Sequence, residues 1–263
     1  VRQAGFQETN IVDMVKPITK YSVQVTNGKE LKNELAKAYK IAVSGRMGPV
    51  LVDIPMDVQQ EEVGEEIILP DLNNGVISDS ESSIVIEKIK NQFDNSERPL
   101  ILFGAGVGLG NASEDVIDFI NSNSIPFVSS WNGSGFFDHD NENYFGSIGV
   151  YGNRGANFLL QSADKILVLG SRLDNRQRGN VKKFAPLADV LVLDIDQGEL
   201  DKHKNDQNYE MHIFNFINSN KVFKNLMLNN AINENWINYC NAIKNKYFGI
   251  WPSSSAEKYN SLS

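Results

Sequence analysis

Four segments of this 263-residue chain carry residue types that could grip a phosphate or a ribose. The first is Gly104-Ala-Gly-Val-Gly-Leu-Gly110, between the apolar stretch Pro99-Leu-Ile-Leu-Phe103 and a helical pattern that starts near Ser113. Glycines permit positive φ and close approach of backbone, and a helix start offers unpaired N–H donors and the positive end of a dipole. The spacing is not G-x-G-x-x-G, because Leu109 takes the last glycine slot, so an ordinary tight strand-to-helix turn is the competing reading. The second segment is Ser129-Ser-Trp-Asn-Gly133. The third is Gly170-Ser-Arg-Leu-Asp-Asn-Arg176, whose two arginines and aspartate could hold phosphate and ribose hydroxyls. The fourth is Asp194-Ile-Asp196, placed like an acidic residue that accepts a ribose hydroxyl; it also reads as a helix N-cap before Gly198-Glu-Leu200.

Each segment follows a short apolar run, and helical patterns separate the runs. Helices are predicted at 82–94, 113–122 and 153–162, and strands at 99–103, 125–130, 165–169 and 189–194. Apolar strands alternating with helices predict an α/β fold: a doubly wound parallel sheet covered on both faces. In such sheets ligands sit outside the carboxyl ends of the strands, where all four segments fall, and a dinucleotide is the ligand of matching size. Two late helices, near 218–229 and 232–247, are expected to pack across the sheet. Ahead of this block, an amphipathic helix is predicted from Asn27 to Ser44 and a short strand within Pro49-Val-Leu-Val-Asp-Ile-Pro55. The acidic, Asn- and Ser-rich stretch at about 60–78 reads as a linker.

Composition narrows the function. A net charge of −8 argues against a nucleic-acid or anionic-membrane surface, and no apolar run is long enough for a membrane helix. Cys240 is the one cysteine, which rules out an internal disulfide, fits a reducing cytoplasm, and reads as a packing residue beside Trp236, Ile237 and Ile243. His139, His203 and His212 lack metal-ligand spacing, so no metal site is expected in the chain, and His139 reads as an exposed loop residue. There is no G-x-S-x-G elbow and no G-x-x-x-x-G-K-[ST] loop, which excludes the common serine hydrolase and P-loop designs. Glu8 is the one carboxylate beside a recognisable motif, with a surface position as the alternative. The ends, Val1 and Ser253-Ser-Ser-Ala-Glu-Lys-Tyr-Asn-Ser-Leu-Ser263, read as those of a piece of a longer polypeptide.

Several longer motifs resemble acetolactate synthase and its thiamine-diphosphate-dependent relatives. Gly5-Phe-Gln-Glu-Thr-Asn-Ile-Val12, Ile18-Thr-Lys-Tyr21, Ser44-Gly-Arg-Met-Gly-Pro-Val-Leu-Val-Asp-Ile-Pro55 and Asp57-Val-Gln-Gln60 are similar to the end of that family's pyrimidine-binding domain. Gly146-Ser-Ile-Gly-Val-Tyr-Gly152, Ala156-Asn157, Ser162-Ala-Asp164, Gly170–Arg176 and Asp194–Asp196 are similar to its middle domain. The resemblance implies domain limits of 1–62 for the end of the pyrimidine domain and 63–78 for a linker. It implies 79–250 for a middle domain like those that hold FAD, and 251–263 for the start of a linker to a further domain. It also implies that the activating glutamate lies upstream and the magnesium and diphosphate ligands downstream, so that this chain alone would be inactive.

For the whole enzyme the resemblance implies thiamine diphosphate, Mg2+ and FAD as cofactors, and a 2-keto acid such as pyruvate as substrate, with release of CO2 and carbon–carbon ligation. It implies a cytoplasmic homodimer or homotetramer, with a regulatory subunit in some members. Phe6 and Gln7 would border the active site, and Arg176 would face the acceptor's carboxylate. Arg46, Gly104, Ala105, Gly106, Ser129, Ser130, Trp131, Tyr151, Gly152, Gly170, Ser171, Arg172, Asp174, Asp194 and Ile195 would fall at FAD-contacting positions. The chain departs from the family in three places: Met56 where a channel lysine is usual, Val150-Tyr151 where Met-His is usual, and Asn175 where a second aspartate is usual. These departures leave open a paralogue that transfers a two-carbon unit to another acceptor, such as a keto-sugar. A non-catalytic nucleotide-binding or scaffold module is the reading from a different class.

Overall fold

The computed structural model describes residues 9–64, 78–206 and 208–248, leaving Phe6, Gln7, Glu8 and most of the predicted linker outside the described residues. The chain divides into two compact units, Val1–Gly75 and Val76–Ser263.

In the first unit, α1 (Ile11–Val15), β1 (Tyr21–Gln24), α2 (Leu31–Val43) and β2 (Val50–Asp53) alternate, and β1 and β2 pair in parallel from Tyr21↔Val50 to Gln24↔Asp53. Helix α2 starts later than its sequence pattern, because Gly28–Glu30 forms a 3-10 turn capped by the Asn27 side chain. At its other end Lys20 Nζ donates to the carbonyls of Ile41 (2.5 Å) and Ser44 (2.7 Å), neutralising the negative end of the helix dipole.

The second unit contains α3 (Asp79–Asp94), β3 (Pro99–Phe103), α4 (Ala105–Leu109), α5 (Ser113–Ser122), β4 (Phe127–Ser129), β5 (Tyr144–Ser147), α6 (Arg154–Ser162), β6 (Lys165–Leu169), α7 (Asn175–Arg178), β7 (Asp189–Asp194), α8 (Gln197–Asp201), β8 (Tyr209–Ile213), α9 (Ser219–Val222) and α10 (Glu234–Phe248). The six strands form one parallel sheet in the order β5-β4-β3-β6-β7-β8. Strand order therefore runs outward in both directions from β3 and β6, the arrangement of a doubly wound dinucleotide fold with its switch point between those two strands.

Alternation along each strand builds a core on each face. Ile101 and Phe103 of β3 pack with Ile89 and Phe93 of α3 and with Val116 and Phe119 of α5. Leu100 and Leu102 face the opposite way, toward Leu159 of α6 and Trp236 and Cys240 of α10. A capping box starts α3: Ser78 Oγ accepts from Glu81 N (3.2 Å), and Glu81 Oε2 accepts from Ser78 N (2.7 Å). Trp236 Nε1 donates to the Pro99 carbonyl (2.8 Å), tying α10 to the start of β3. Cys240 is fully buried, as a packing residue must be, and burial pushes its thiol up to about 12.

The structure also corrects the sequence reading within the second unit. The expected helix at 218–229 is cut to Ser219–Val222, and Asn225 adopts a positive φ of 60° that no helix continues through. The predicted strand 125–130 is only Phe127–Ser129, since Ser130 turns out of the sheet to cap the next turn. The glycine run is not a bare turn before Ser113; its residues Ala105–Leu109 are already helical. Among the described residues, no helix is long and apolar enough to cross a membrane.

Candidate functional site

The carboxyl rim of the sheet is laced together by backbone. Gly104 N donates to Leu169 O (2.8 Å), Gly106 N to Gly170 O (2.9 Å), and Gly170 N to Leu193 O (2.9 Å), joining the ends of β3, β6 and β7. Ser130 N donates to Phe103 O (2.9 Å) and Ile148 N to Ser129 O (2.9 Å), bringing in the ends of β4 and β5. Val150 N donates to Arg176 O (2.9 Å), which links the β5–α6 loop to the β6–α7 loop. The loops that follow β3, β4, β5, β6 and β7 thus form one continuous surface.

Glycine is required here by the packing of one turn on another, as the tight-turn reading of the run anticipates. A Cβ on Gly104 would lie 2.2 Å from Gly170 O, and one on Gly106 would lie 2.8 Å from Gly170 Cα. Gly170 has φ 58°, and a Cβ there would meet Gly106 Cα at 2.7 Å. The close approach that these glycines permit is therefore between the two switch-point loops. It presses the β3–α4 and β6–α7 turns into direct backbone contact and leaves no gap between them.

The polar candidates divide into those engaged within the fold and those presented outward. Ser129 Oγ lies 3.0 Å from both Tyr144 OH and Ser147 Oγ, and Ser130 Oγ accepts from Gly133 N (3.2 Å); both serines are buried. Ser171 Oγ, also buried, donates to Gln177 Oε1 (2.8 Å). Asp174 Oδ1 caps α7 through Arg176 N (2.8 Å) and Gln177 N (3.1 Å). Asp196 Oδ1 caps α8 through Gly198 N (2.8 Å) and Glu199 N (3.3 Å), and Asp194 Oδ1 accepts from Asp196 N (3.0 Å). The capping alternative for these acids is thus realised in the structure.

Arg172, Asp174, Arg176, Trp131 and Tyr151 are exposed. The Trp131 and Tyr151 rings lie against each other with centroids 4.9 Å apart at 42°. Arg172 Nη1 is 3.8 Å from Glu199 Oε1, a loose contact for a side chain 54 % exposed. Arg176 is joined through its carbonyl to the loop that carries Tyr151, while Arg172 lies on the α8 side of the same rim; exposed guanidinium groups and an aromatic pair on one rim suit an anionic ligand with a planar ring. Gly152 and Ile195 lie on the same rim, half-buried.

Sequence reasoning missed the side chains that fix these loops. Asn153 Oδ1 accepts from Ser147 N (2.8 Å), while Asn157 pairs with Gly149 through both amide atoms (2.9 and 3.0 Å), holding the turn that carries Tyr151. Asn at the start of a helix that follows a Gly-rich loop was the available signal. Arg46 belongs to the first unit and is exposed there. His139 is exposed as expected, its Nε2 2.6 Å from the Ser134 carbonyl.

Two clefts, of about 450 and 570 Å3, open at the other edge of the sheet. One is lined by Lys88, Lys165, Asp189 and Tyr209, near the first residues of β6, β7 and β8, and the other by Arg98, Ser162, Trp236 and Tyr239. Neither touches the switch-point loops. Fold topology and chemistry, rather than concavity, mark the rim as the candidate site. Among the described residues no cluster of three or more His, Cys, Asp or Glu side chains is placed to hold a metal ion.

A parallel sheet with order reversal at β3/β6, and loops meeting above that point, defines a domain of the dinucleotide-binding type. The chain belongs to the thiamine pyrophosphate enzyme family, whose central-domain model matches residues 86–217, half of its length. It is 32% identical over 198 residues to the acetolactate synthase isozyme 2 large subunit of Escherichia coli (75% of this chain, 36% of the relative). It is 33% identical over 206 residues to a probable acetolactate synthase large subunit of Methanocaldococcus jannaschii (76% and 34%), and 35% identical over 200 residues to the acetolactate synthase large subunit of Lactococcus lactis (75% and 35%). The chain spans about a third of the length of these relatives.

Proposed function

We propose that the chain is part of a thiamine-diphosphate-dependent enzyme that decarboxylates a 2-keto acid and ligates the remaining carbon unit to a second carbonyl, as in acetolactate synthesis. The observation that carries this reading is the backbone-laced rim at the β3/β6 switch point in a member of the thiamine pyrophosphate enzyme family. Thiamine diphosphate, when bound with Mg2+, supplies the electron sink for decarboxylation. FAD is proposed as the ligand of the rim. Trp131 and Tyr151 would lie against a ring of the dinucleotide, Arg172 would pair with its diphosphate, and Arg176 would face the carboxylate of the acceptor. A dimer or tetramer in the cytoplasm is the expected working form.

A second reading has a specific observation behind it. Met56 stands exposed where a channel lysine is usual, which removes a cation, and Tyr151 adds a bulky exposed ring at the rim. Both features favour an acceptor other than a small keto acid, such as a keto-sugar, within the same chemistry. The test is an assay of the chain within the full-length enzyme, with thiamine diphosphate, Mg2+, FAD and pyruvate, following CO2 release and the appearance of acetolactate. CO2 release with a ligated product supports the carboligase reading, and the identity of the product separates the two acceptors. A protein that binds no flavin and releases no CO2 from any 2-keto acid contradicts it.

A further inference from the structure

The connection from α8 to β8 holds a charged cluster that the rim chemistry above does not use. His203, 2 % exposed, has Nδ1 3.1 Å from Asp206 Oδ2 and Nε2 3.1 Å from the Arg172 carbonyl oxygen. Arg178 Nη1 donates to the same Asp206 Oδ2 at 2.6 Å, from a side chain only 9 % exposed. The Tyr209 ring stacks on the imidazole, with centroids 5.9 Å apart and planes at 23°. Burial pushes the Tyr209 hydroxyl up to about 12, with Arg178 opposing the rise and Asp206 adding to it, so the phenol stays neutral beside the ion pair.

The cluster holds the segment made of the β6–α7 loop and α7 at both ends. His203 engages the main chain of Arg172 at its start, and Asp206 engages the side chain of Arg178 at its finish. Between them Leu173 is fully buried with φ 49°, a left-handed conformation that a bulky residue keeps only when its surroundings dictate it. A buried ion pair is an inefficient source of stability, because both charges must leave water, but its directional bonds favour one geometry over its neighbours. Arg172 and Arg176, the two guanidinium groups presented at the rim, sit inside the segment so held.

We infer that His203, Asp206 and Arg178 are positioning residues that fix the Gly170–Arg178 loop so that Arg172 and Arg176 face a ligand at the rim. The inference rests on the reading of the rim as a ligand site. None of the three touches that ligand; they act through the loop.

The test compares wild type with Asp206→Asn, His203→Phe and the milder Arg178→Lys in two readouts, amide hydrogen exchange and the dissociation constant for FAD. Exchange at residues 172–178 should quicken by about tenfold in Asp206→Asn and His203→Phe, the factor that ~1.4 kcal/mol represents. Exchange in β3 and β6 should stay as in wild type, FAD should bind about tenfold more weakly, and Arg178→Lys, which keeps the charge, should fall between. Unchanged exchange at 172–178, or quickening spread equally over β3 and β6, overturns the inference. So does a loosened loop that binds FAD as tightly as wild type. Failure of the wild type to bind FAD would instead strike the ligand reading, while the exchange data would still decide whether the cluster holds the loop.

Discussion

Gly104→Ala probes the contact on which the rim is built. The added Cβ would lie 2.2 Å from Gly170 O, 2.5 Å from Gly170 C and 2.7 Å from Leu169 O, all of them backbone atoms with no rotamer to change. An ordinary carbon–oxygen approach is about 3.3 Å, so the β3–α4 and β6–α7 turns must part by about 1 Å. Overpacking of this kind costs about 1–3 kcal/mol. The hydrogen bonds Gly104 N to Leu169 O and Gly106 N to Gly170 O cross the same seam, and weakening both adds about 1–2 kcal/mol. The expected loss of about 2–5 kcal/mol is a large part of the total stability of an ordinary domain, about 5–15 kcal/mol. Urea denaturation reads it as a lower midpoint with an unchanged slope. Gly135→Ala is the internal control: nothing lies within 4 Å of its Cβ position, so its midpoint should match wild type. A Gly104→Ala protein as stable as the Gly135→Ala control would refute the claim that the two turns are in direct contact.

Three further outcomes follow from the geometry. Arg172→Ala should leave the melting temperature unchanged, since its one ion pair is long and exposed, yet weaken FAD binding about tenfold or more by titration. Burial works to raise the Asp164 carboxyl, but donors from Ser96 Oγ (2.6 Å), Glu97 N (2.9 Å) and Arg98 N (2.9 Å) outweigh it and hold the group below its ordinary value. That stabilisation is complete above the unfolded value of about 3.9 and is lost as pH falls through the lower folded value. Asp164→Asn should therefore be less stable than wild type at neutral pH, with a difference that narrows in acid denaturation curves below about pH 4. Cys240 should resist thiol reagents in the folded protein and react at the rate of global unfolding, because its thiol is buried and pushed up to about 12; rapid labelling under native conditions would contradict the packing of α10.

The sheet was legible because its central strands are continuous apolar runs. The predicted 99–103, 165–169 and 189–194 coincide with β3, β6 and β7, which lie in the middle of the sheet and are buried on both faces. The outer strands were not legible for different reasons: β5 (Tyr144–Ser147) is a four-residue run interrupted by Gly146, and β8 (Tyr209–Ile213) mixes Glu210 and His212 with its apolar residues and is only half-buried. At the rim the sequence left the glycines open between a phosphate approach and a tight strand-to-helix turn; the structure shows them where two facing turns meet, and no local pattern could have revealed that non-local contact. The His203–Asp206–Arg178 cluster was hidden for the same reason: its members lie up to 28 positions apart and meet only after β6, β7 and β8 have paired.

Titration of the protein with FAD, followed by flavin fluorescence, decides whether the loops above β3 and β6 bind a dinucleotide. Saturable binding of one FAD per chain is expected, weakened when Trp131 or Tyr151 is replaced by alanine and unaffected by substitution of Lys88 at the opposite edge. Absence of saturable binding by FAD, NAD or ADP, or binding indifferent to both aromatic residues, would contradict that reading of the rim.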